Sequence, residues 1–282
     1  MVKKIGKLHK PSSLGKIICH IPYAEKWFYP YRQAMKLTVR EEERTFPGLP
    51  EELDGKKLVF LSDIHCGVYY GKPRAAELAA RVRAEKADLI LMGGDYGEDS
   101  AAAEEFWNML EEPFQAPMGV YAVLGNHDVT EPERIPVIRD IMEKKGVRLL
   151  VNEEASLPGG AVIFGLGEYY HEGADLKKTV ELFRNPGFHV LLTHTPDVLP
   201  EIYETDPDNR IDLCFCGHTH GGQIAIGGWA PRSSSLYKSR YLSGWKKENG
   251  TEILISMGVG TSFLPVRMGT KSEYHAIRLR RG

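Results

Sequence analysis

The chain has 282 residues, 42% of them apolar, with 36 basic and 38 acidic side chains and a net charge of −2. That length and composition support a sizeable core in one large or two small domains, and the charge balance argues against a general nucleic-acid binder, so no nucleic-acid partner is expected. No run of about 18 apolar residues occurs, which excludes a membrane-spanning helix on sequence grounds, and the N-terminus lacks the apolar stretch of a signal peptide.

Residues 1–36 differ from the rest. Eight basic residues stand there against Glu25 alone, and aromatics gather in KWFYPYRQ. Pro11, Pro22 and Pro30 rule out one continuous helix. FPGLPEELDGKK then reads as a proline- and glycine-rich linker. Residues 1–50 are therefore expected to form a basic, aromatic arm with its linker, and residues 51–282 the folded domain. Lysines beside Trp27, Phe28, Tyr29 and Tyr31 suit peripheral contact with an anionic membrane. The plainer reading is a solvated arm that packs a few aromatics on the domain.

From Lys57 the pattern alternates. KLVFLSD is a short apolar run with a polar end, RAAELAARVRAEK has helical spacing, and ADLILMGGD is a second run. AAAEEFWNMLEE is helical, and GVYAVLGNHD is a third run. EPERIPVIRDIMEKKG predicts a helix after a turn, and VRLL a short strand. AVIFGLG, FHVLLTH and IDLCFCGHTH follow as strands, with helices around 176–183 and 197–203. APRSSSLYKSRYLSGWKKENG reads as a basic, aromatic loop. EILISMGVG reads as a strand, and the alternating EYHAIRLR as an edge strand. The order of elements predicts an α/β fold. The four cysteines, Cys19, Cys66, Cys214 and Cys216, do not form a disulfide framework, and a reduced, cytosolic compartment is expected.

Five apolar runs end in residues able to bind metal. Asp63 and His65 lie in SDIHCG, Asp95 and Glu98 in GGDYGED, and Asn126, His127 and Asp128 in GNHD. His194 lies in THTP, and His218 and His220 in GHTH. In α/β sheets ligand sites form at the carboxyl ends of strands, so distant residues can meet at one edge. Imidazole, carboxylate and amide oxygen suit manganese, iron or zinc. Two cations about 3.5–4 Å apart can activate water and clamp a phosphoryl group. The lack of a cysteine cluster argues against a closed structural zinc site. A lone histidine is more often packed or on the surface, and that reading applies to His9, His20, His171, His189 and His275. One such strand ending alone is a turn or a helix cap; five in this order point to a metal site. Cys66 reads as a packing residue.

The ordered set DIHCG, GGDYGE, GNHD, HTPD and GHTHGG resembles the calcineurin-like metallophosphoesterase superfamily over roughly residues 57–280. The resemblance implies a four-layer α/β/β/α sandwich with two mixed β-sheets and a pair of divalent metal ions (manganese, iron or zinc). It implies Asp63, His65 and His220 as ligands of the first ion, Asp95 as a bridge, and Asn126, His194 and His218 as ligands of the second. It implies His127 near the leaving-group oxygen, with the Glu98 carboxylate orienting it and Asp99 or Asp128 as alternatives. The implied reaction is hydrolysis of an anionic phosphoester or pyrophosphate by a metal-bridging hydroxide. A non-catalytic metal-binding protein, or a membrane-peripheral one, on the same fold is the alternative.

Asp99 and Ser100 after Glu98, and Asp128 at the end of the third motif, speak against a protein phosphatase. GHTHGGQI with MGVGTSFLPVRMGTKSEYHAIRL is similar to a bacterial, membrane-associated branch that includes UDP-diacylglucosamine hydrolases, from which GTKSEYH departs. That similarity implies a lipid- or nucleotide-linked substrate touched by Gln223 and Arg267. From the residues alone, Gln223 reads equally well as a turn residue and Arg267 as a surface cation.

Overall fold

Strand β2 (Lys57–Leu61) shows why the chain layers as it does. Side chains alternate across a strand, and here both faces are apolar. Leu58 and Phe60 enter one core cluster, and Val59 and Leu61 another. A computed structural model describes residues 11–282 except 113, 172, 206–209 and 228; Lys3, Lys4, Lys7, Lys10 and His9 lie outside the described residues.

Two six-stranded sheets stack on each other. The first joins β1 (Leu37–Phe46), β12 (Ser272–Arg281), β2, β3 (Leu89–Met92), β4 (Val120–Ala122) and β5 (Val147–Leu149), in that order. The second joins β10 (Gly244–Glu248), β11 (Thr251–Ile255), β9 (Leu213–Cys216), β8 (His189–Leu192), β7 (Val162–Gly165) and β6 (Glu153–Ser156). Both are mixed: β12 runs antiparallel to β2, and β10 and β6 run antiparallel to their neighbours. The cluster between the sheets contains Phe60 and Phe215, with ring centroids 5.1 Å apart.

Helices α4 (Lys72–Ala84), α5 (Ser100–Met109) and α6 (Ile135–Lys144) cover the outer face of the first sheet through Leu78, Val82, Phe106, Trp107, Ile138 and Met142. Helices α7 (Leu176–Leu182) and α8 (Leu199–Thr205) cover the second through Val180 and Ile202. The result is the expected α/β/β/α sandwich.

Three expectations are corrected. The division at residue 50 does not separate arm from domain, because β1 is part of the first sheet and pairs with β12 along its whole length. For the same reason β12 is an inner strand and not an edge. The stretch read as a loop near 244–248 is strand β10, turned back onto β11 through Asn249 and Gly250 at φ 48° and 86°; two positive φ values in a two-residue hairpin are what Asn-Gly provides. Before β1 the prolines break the chain into α1 (Ser13–His20), α2 (Ala24–Trp27) and α3 (Tyr29–Met35).

Candidate metal centre

Each motif leaves the carboxyl end of its strand: Asp63 and His65 after β2, Asp95 after β3, Asn126 and His127 after β4, His194 after β8, and His218 and His220 after β9. Both sheets therefore contribute to one edge. Five of the seven proposed ligands hold left-handed backbone: Asp63 at φ 53°, His65 at 49°, Asp95 at 56°, His218 at 70° and His220 at 53°. Such a conformation costs about 1–3 kcal/mol at a non-glycine residue and persists only where the surroundings impose it. Here they do. Asp63 N–H donates to Gly94 O at 2.9 Å, and His65 N–H to Asp95 O at 3.0 Å. Two glycines make room: a Cβ on Gly125 would lie 2.2 Å from Asp95 Oδ1, and one on Gly217 2.2 Å from Asp63 Oδ2.

The side chains converge. His65 Nε2 lies 3.0 Å from His220 Nε2 and 3.5 Å from Asp95 Oδ2, and His220 Nε2 lies 3.7 Å from Asp63 Oδ1. His194 Nε2 lies 3.2 Å from Asp95 Oδ2, 3.1 Å from Asn126 Oδ1 and 3.2 Å from His218 Nδ1. His194 Nδ1 sits 2.8 Å from Gly93 O, which fixes a proton on that nitrogen and leaves Nε2 for the site. Three groups of close donor atoms result: Asp63, His65 and His220; His65, Asp95 and His127; and Asp95, His194 and His218.

Burial sets the charge states. It pushes His65 down to about 3 and His218 to about 4, and holds His220 well below its ordinary range. Three imidazoles are thus neutral at pH 7, the form that ligates metal. Burial pushes Asp63 up to about 6. It acts against the charged forms of Asp95 and His194 as well. There the pair overrides it, with Asp95 held well below the usual carboxylate range and His194 raised to about 10. These donors fit divalent cations, and His194 would have to give up its Nε2 proton to ligate one.

His127 is buried at the same edge. Its backbone N–H donates to Asp95 Oδ1 at 2.9 Å, and its ring meets His65 edge-on at 4.8 Å. Its Nδ1 lies 2.8 Å from the backbone oxygen of Glu98. The carboxylate expected to orient it does something else: Glu98 Oε1 accepts from Val68 N–H at 3.0 Å and holds the loop after β2. Asp99 caps α5 through Ala102 N–H at 2.9 Å. Asp128 accepts from the N–H groups of Asp95, Tyr96 and Gly125 at 2.7, 2.8 and 2.9 Å, and so pins two of the motif turns together.

Of the two proposed substrate contacts, Arg267 is corrected, while Gln223 lies in the lining of a cavity beside His220. Arg267 is fully buried behind His220, where it donates to the carbonyls of Met257, Gly260, Gly258 and His220 at 2.6, 2.6, 3.1 and 3.3 Å. Gln223 spends its amide on backbone: Nε2 donates to Leu264 O at 2.8 Å, and Oε1 accepts from Ser262 N–H at 3.0 Å. Both are braces. Cys66 is buried, and burial pushes its thiol up to about 12, which matches a packing residue.

Residues missed by the motif reading form the wall beyond His218. The Tyr170 ring lies 5.4 Å from that of His218, and its hydroxyl donates to Asp197 Oδ2 at 2.5 Å. Glu168, buried beyond the end of β7, pairs with His171 at 2.7 Å. GLGEYYH was a sixth polar strand exit, and that was its signal.

A family model described as calcineurin-like phosphoesterase matches residues 56–222. An uncharacterized metallophosphoesterase of Bacillus subtilis is 27% identical over 82% of this chain and 82% of its own. One from Helicobacter pylori is 26% identical over 99% of this chain and 75% of its own. A crystal structure of a Thermus thermophilus protein superposes with a TM-score of 0.46 at 14% identity, covering 73% of this chain and 89% of that one.

Proposed function

The chain belongs to the calcineurin-like phosphoesterase family of phosphoester-hydrolysing enzymes, and from that premise we propose that it works with two divalent cations (manganese, iron or zinc) shared by Asp95. The observation that carries this reading is the place of one carboxylate oxygen. Asp95 Oδ2 lies 3.5 Å from His65 Nε2 on one side and 3.2 Å from His194 Nε2 on the other.

When bound, two divalent cations supply Lewis acidity toward phosphoryl oxygens and a nucleophilic water at neutral pH. Asp63, His65 and His220 would hold one cation, and Asn126, His194 and His218 the other. Asp63 and Asp95 offset only part of the added charge, which leaves the site attractive to a phosphoryl dianion. His127 is tied to Asp95 through its backbone and to Glu98 O through Nδ1–H, so its Nε2 is the atom left to give a proton to the leaving oxygen.

A cavity of about 250 Å³ adjoins His220 and is lined in part by Ile224, Pro231, Phe263 and Leu264. Those apolar residues favour a lipid-linked phosphoester or pyrophosphate, and Gln223, Arg232 and Ser234 in the same lining give it a polar side. Equilibrium dialysis of chelator-stripped protein against manganese tests the centre. Two equivalents per chain, reduced in Asp95→Asn, are expected; one equivalent or none in the unaltered chain contradicts the proposal.

A further inference from the structure

Among the described residues thirteen large apolar side chains are exposed, and twelve of them fall on four stretches of chain, with Val137 on α6 the exception. The stretches are 14–29, residue 68, 226–237 and 263–268. Hydrogen bonds tie most of them together. Ser12 N–H donates to Phe263 O at 3.1 Å, and Arg267 N–H to Pro30 O at 2.8 Å. Tyr69 Oη donates to Phe263 O at 3.0 Å, and Ala225 N–H to Met268 O at 2.8 Å. Leu236 N–H instead donates to Asp197 Oδ2 at 2.6 Å, and the other segments, near residues 12, 30, 69, 225 and 263–268, meet on one face. It adjoins the metal centre, because Phe263 and His220 line the same cavity.

Helix α1 is turned the unusual way for a surface helix. It buries Gly15 and Ile18 and leaves Leu14 and Ile17 60% and 62% exposed; a surface helix normally puts its apolar stripe inward. Trp27, Ile226 and Trp229 are likewise more than 60% exposed. Cations stand among them. Lys16, Lys26, Arg32 and Lys36 are all exposed, and Glu25 is the one acidic residue between 11 and 36. Apolar and aromatic tips interleaved with lysine and arginine match the depth profile of a bilayer interface with anionic headgroups.

We propose that this face seats on an anionic lipid surface and presents the mouth of the metal centre to the headgroup layer. Leu14, Ile17, Trp27, Ile226 and Trp229 enter the interface, and the basic residues of 16–36 lie against anionic phosphates. Docking of this kind needs no catalysis. The further step, that the substrate is drawn from that surface, rests on the function proposed above.

The test is co-sedimentation of the full chain with phosphatidylglycerol–phosphatidylcholine vesicles and with pure phosphatidylcholine vesicles, at low and high salt. Three chains are compared: unaltered, Ile17→Asp with Trp229→Asp, and Val137→Asp. Turnover of a soluble phosphodiester by each chain is measured in parallel. Binding to anionic vesicles about tenfold or more above neutral ones, falling with salt, is expected. The double variant should lose about tenfold or more of it while keeping its turnover, and Val137→Asp should behave as the unaltered chain. No binding to anionic vesicles would overturn the proposal, as would equal binding by the double variant. A concentration-dependent dimer in sedimentation velocity, abolished by Ile17→Asp, would also overturn it by assigning the face to a second copy of the chain. Vesicle binding without turnover would refute the catalytic reading and leave the docking face standing.

Discussion

The Nε2 atoms of His65 and His220 lie 3.0 Å apart across 155 residues of chain. Burial holds both rings neutral. Two imidazole nitrogens facing each other share at most one proton, whereas a cation between them uses both lone pairs. The left-handed backbone at both residues is the local cost of aiming them there.

His127→Asn should lower kcat by about 10²–10⁴-fold and leave two metal equivalents bound, because the ring is placed for proton transfer and its backbone, not its ring, is tied to Asp95. Steady-state kinetics beside metal analysis checks this; loss of one equivalent would move His127 into the ligand set.

Gly125→Ala should damage the centre without touching a donor. The new Cβ would lie 2.2 Å from Asp95 Oδ1 and 2.6 Å from Asp95 N. The turn must shift, and manganese affinity should fall about 10–100-fold, as when the support of a ligand is lost. A dialysis isotherm superposable on that of the unaltered chain would show that the turn yields freely.

Arg267→Met should cost about 2–3 kcal/mol or more, because it removes the donor to the carbonyls of Met257 and Gly260 and one of two donors to those of Gly258 and His220, which keep the N–H groups of Glu273 and Gln223. Urea unfolding measures that cost. A substrate-contact role would instead raise KM and leave stability alone.

Glu273 gives the pH dependence. Burial acts against its charge, but His275 and Arg40 override it and hold the carboxyl at about 2. A depressed carboxyl stabilises the folded chain above its ordinary pKa and loses that contribution as pH falls from about 4.5 toward 2. Glu273→Gln should therefore cost about 3 kcal/mol at pH 7 and progressively less below pH 4.5. Unfolding midpoints for both chains across that range are the check; a constant difference would place the effect in packing.

Much of the site was legible because metal chemistry needs particular side chains, and strand ends are where an α/β sheet can gather them. Asp63, His65, Asp95, Asn126, His194, His218 and His220 all reach one edge. The supports were harder to read. The orienting partner of His127 is a backbone oxygen, which no residue type announces. Arg267 looked like a surface cation because guanidinium is rarely buried, yet the loop between β11 and β12 supplies three carbonyls to it and His220 a fourth. Strand β1 was hidden by its charges: LTVREEERTF buries few of its side chains, and its pairing with β12 is made by backbone across more than two hundred residues. Strand β10 carried a readable signal, since Asn249-Gly250 between two strands is a hairpin turn.

The measurement that bears most directly on the central claim is hydrolysis of bis-p-nitrophenyl phosphate by chelator-stripped protein as manganese is added back, beside Asp95→Asn. The account predicts no turnover in the stripped chain, recovery that levels off at two equivalents, and at least about a thousandfold less activity in Asp95→Asn. Turnover that persists without metal, or that Asp95→Asn retains in full, would contradict it.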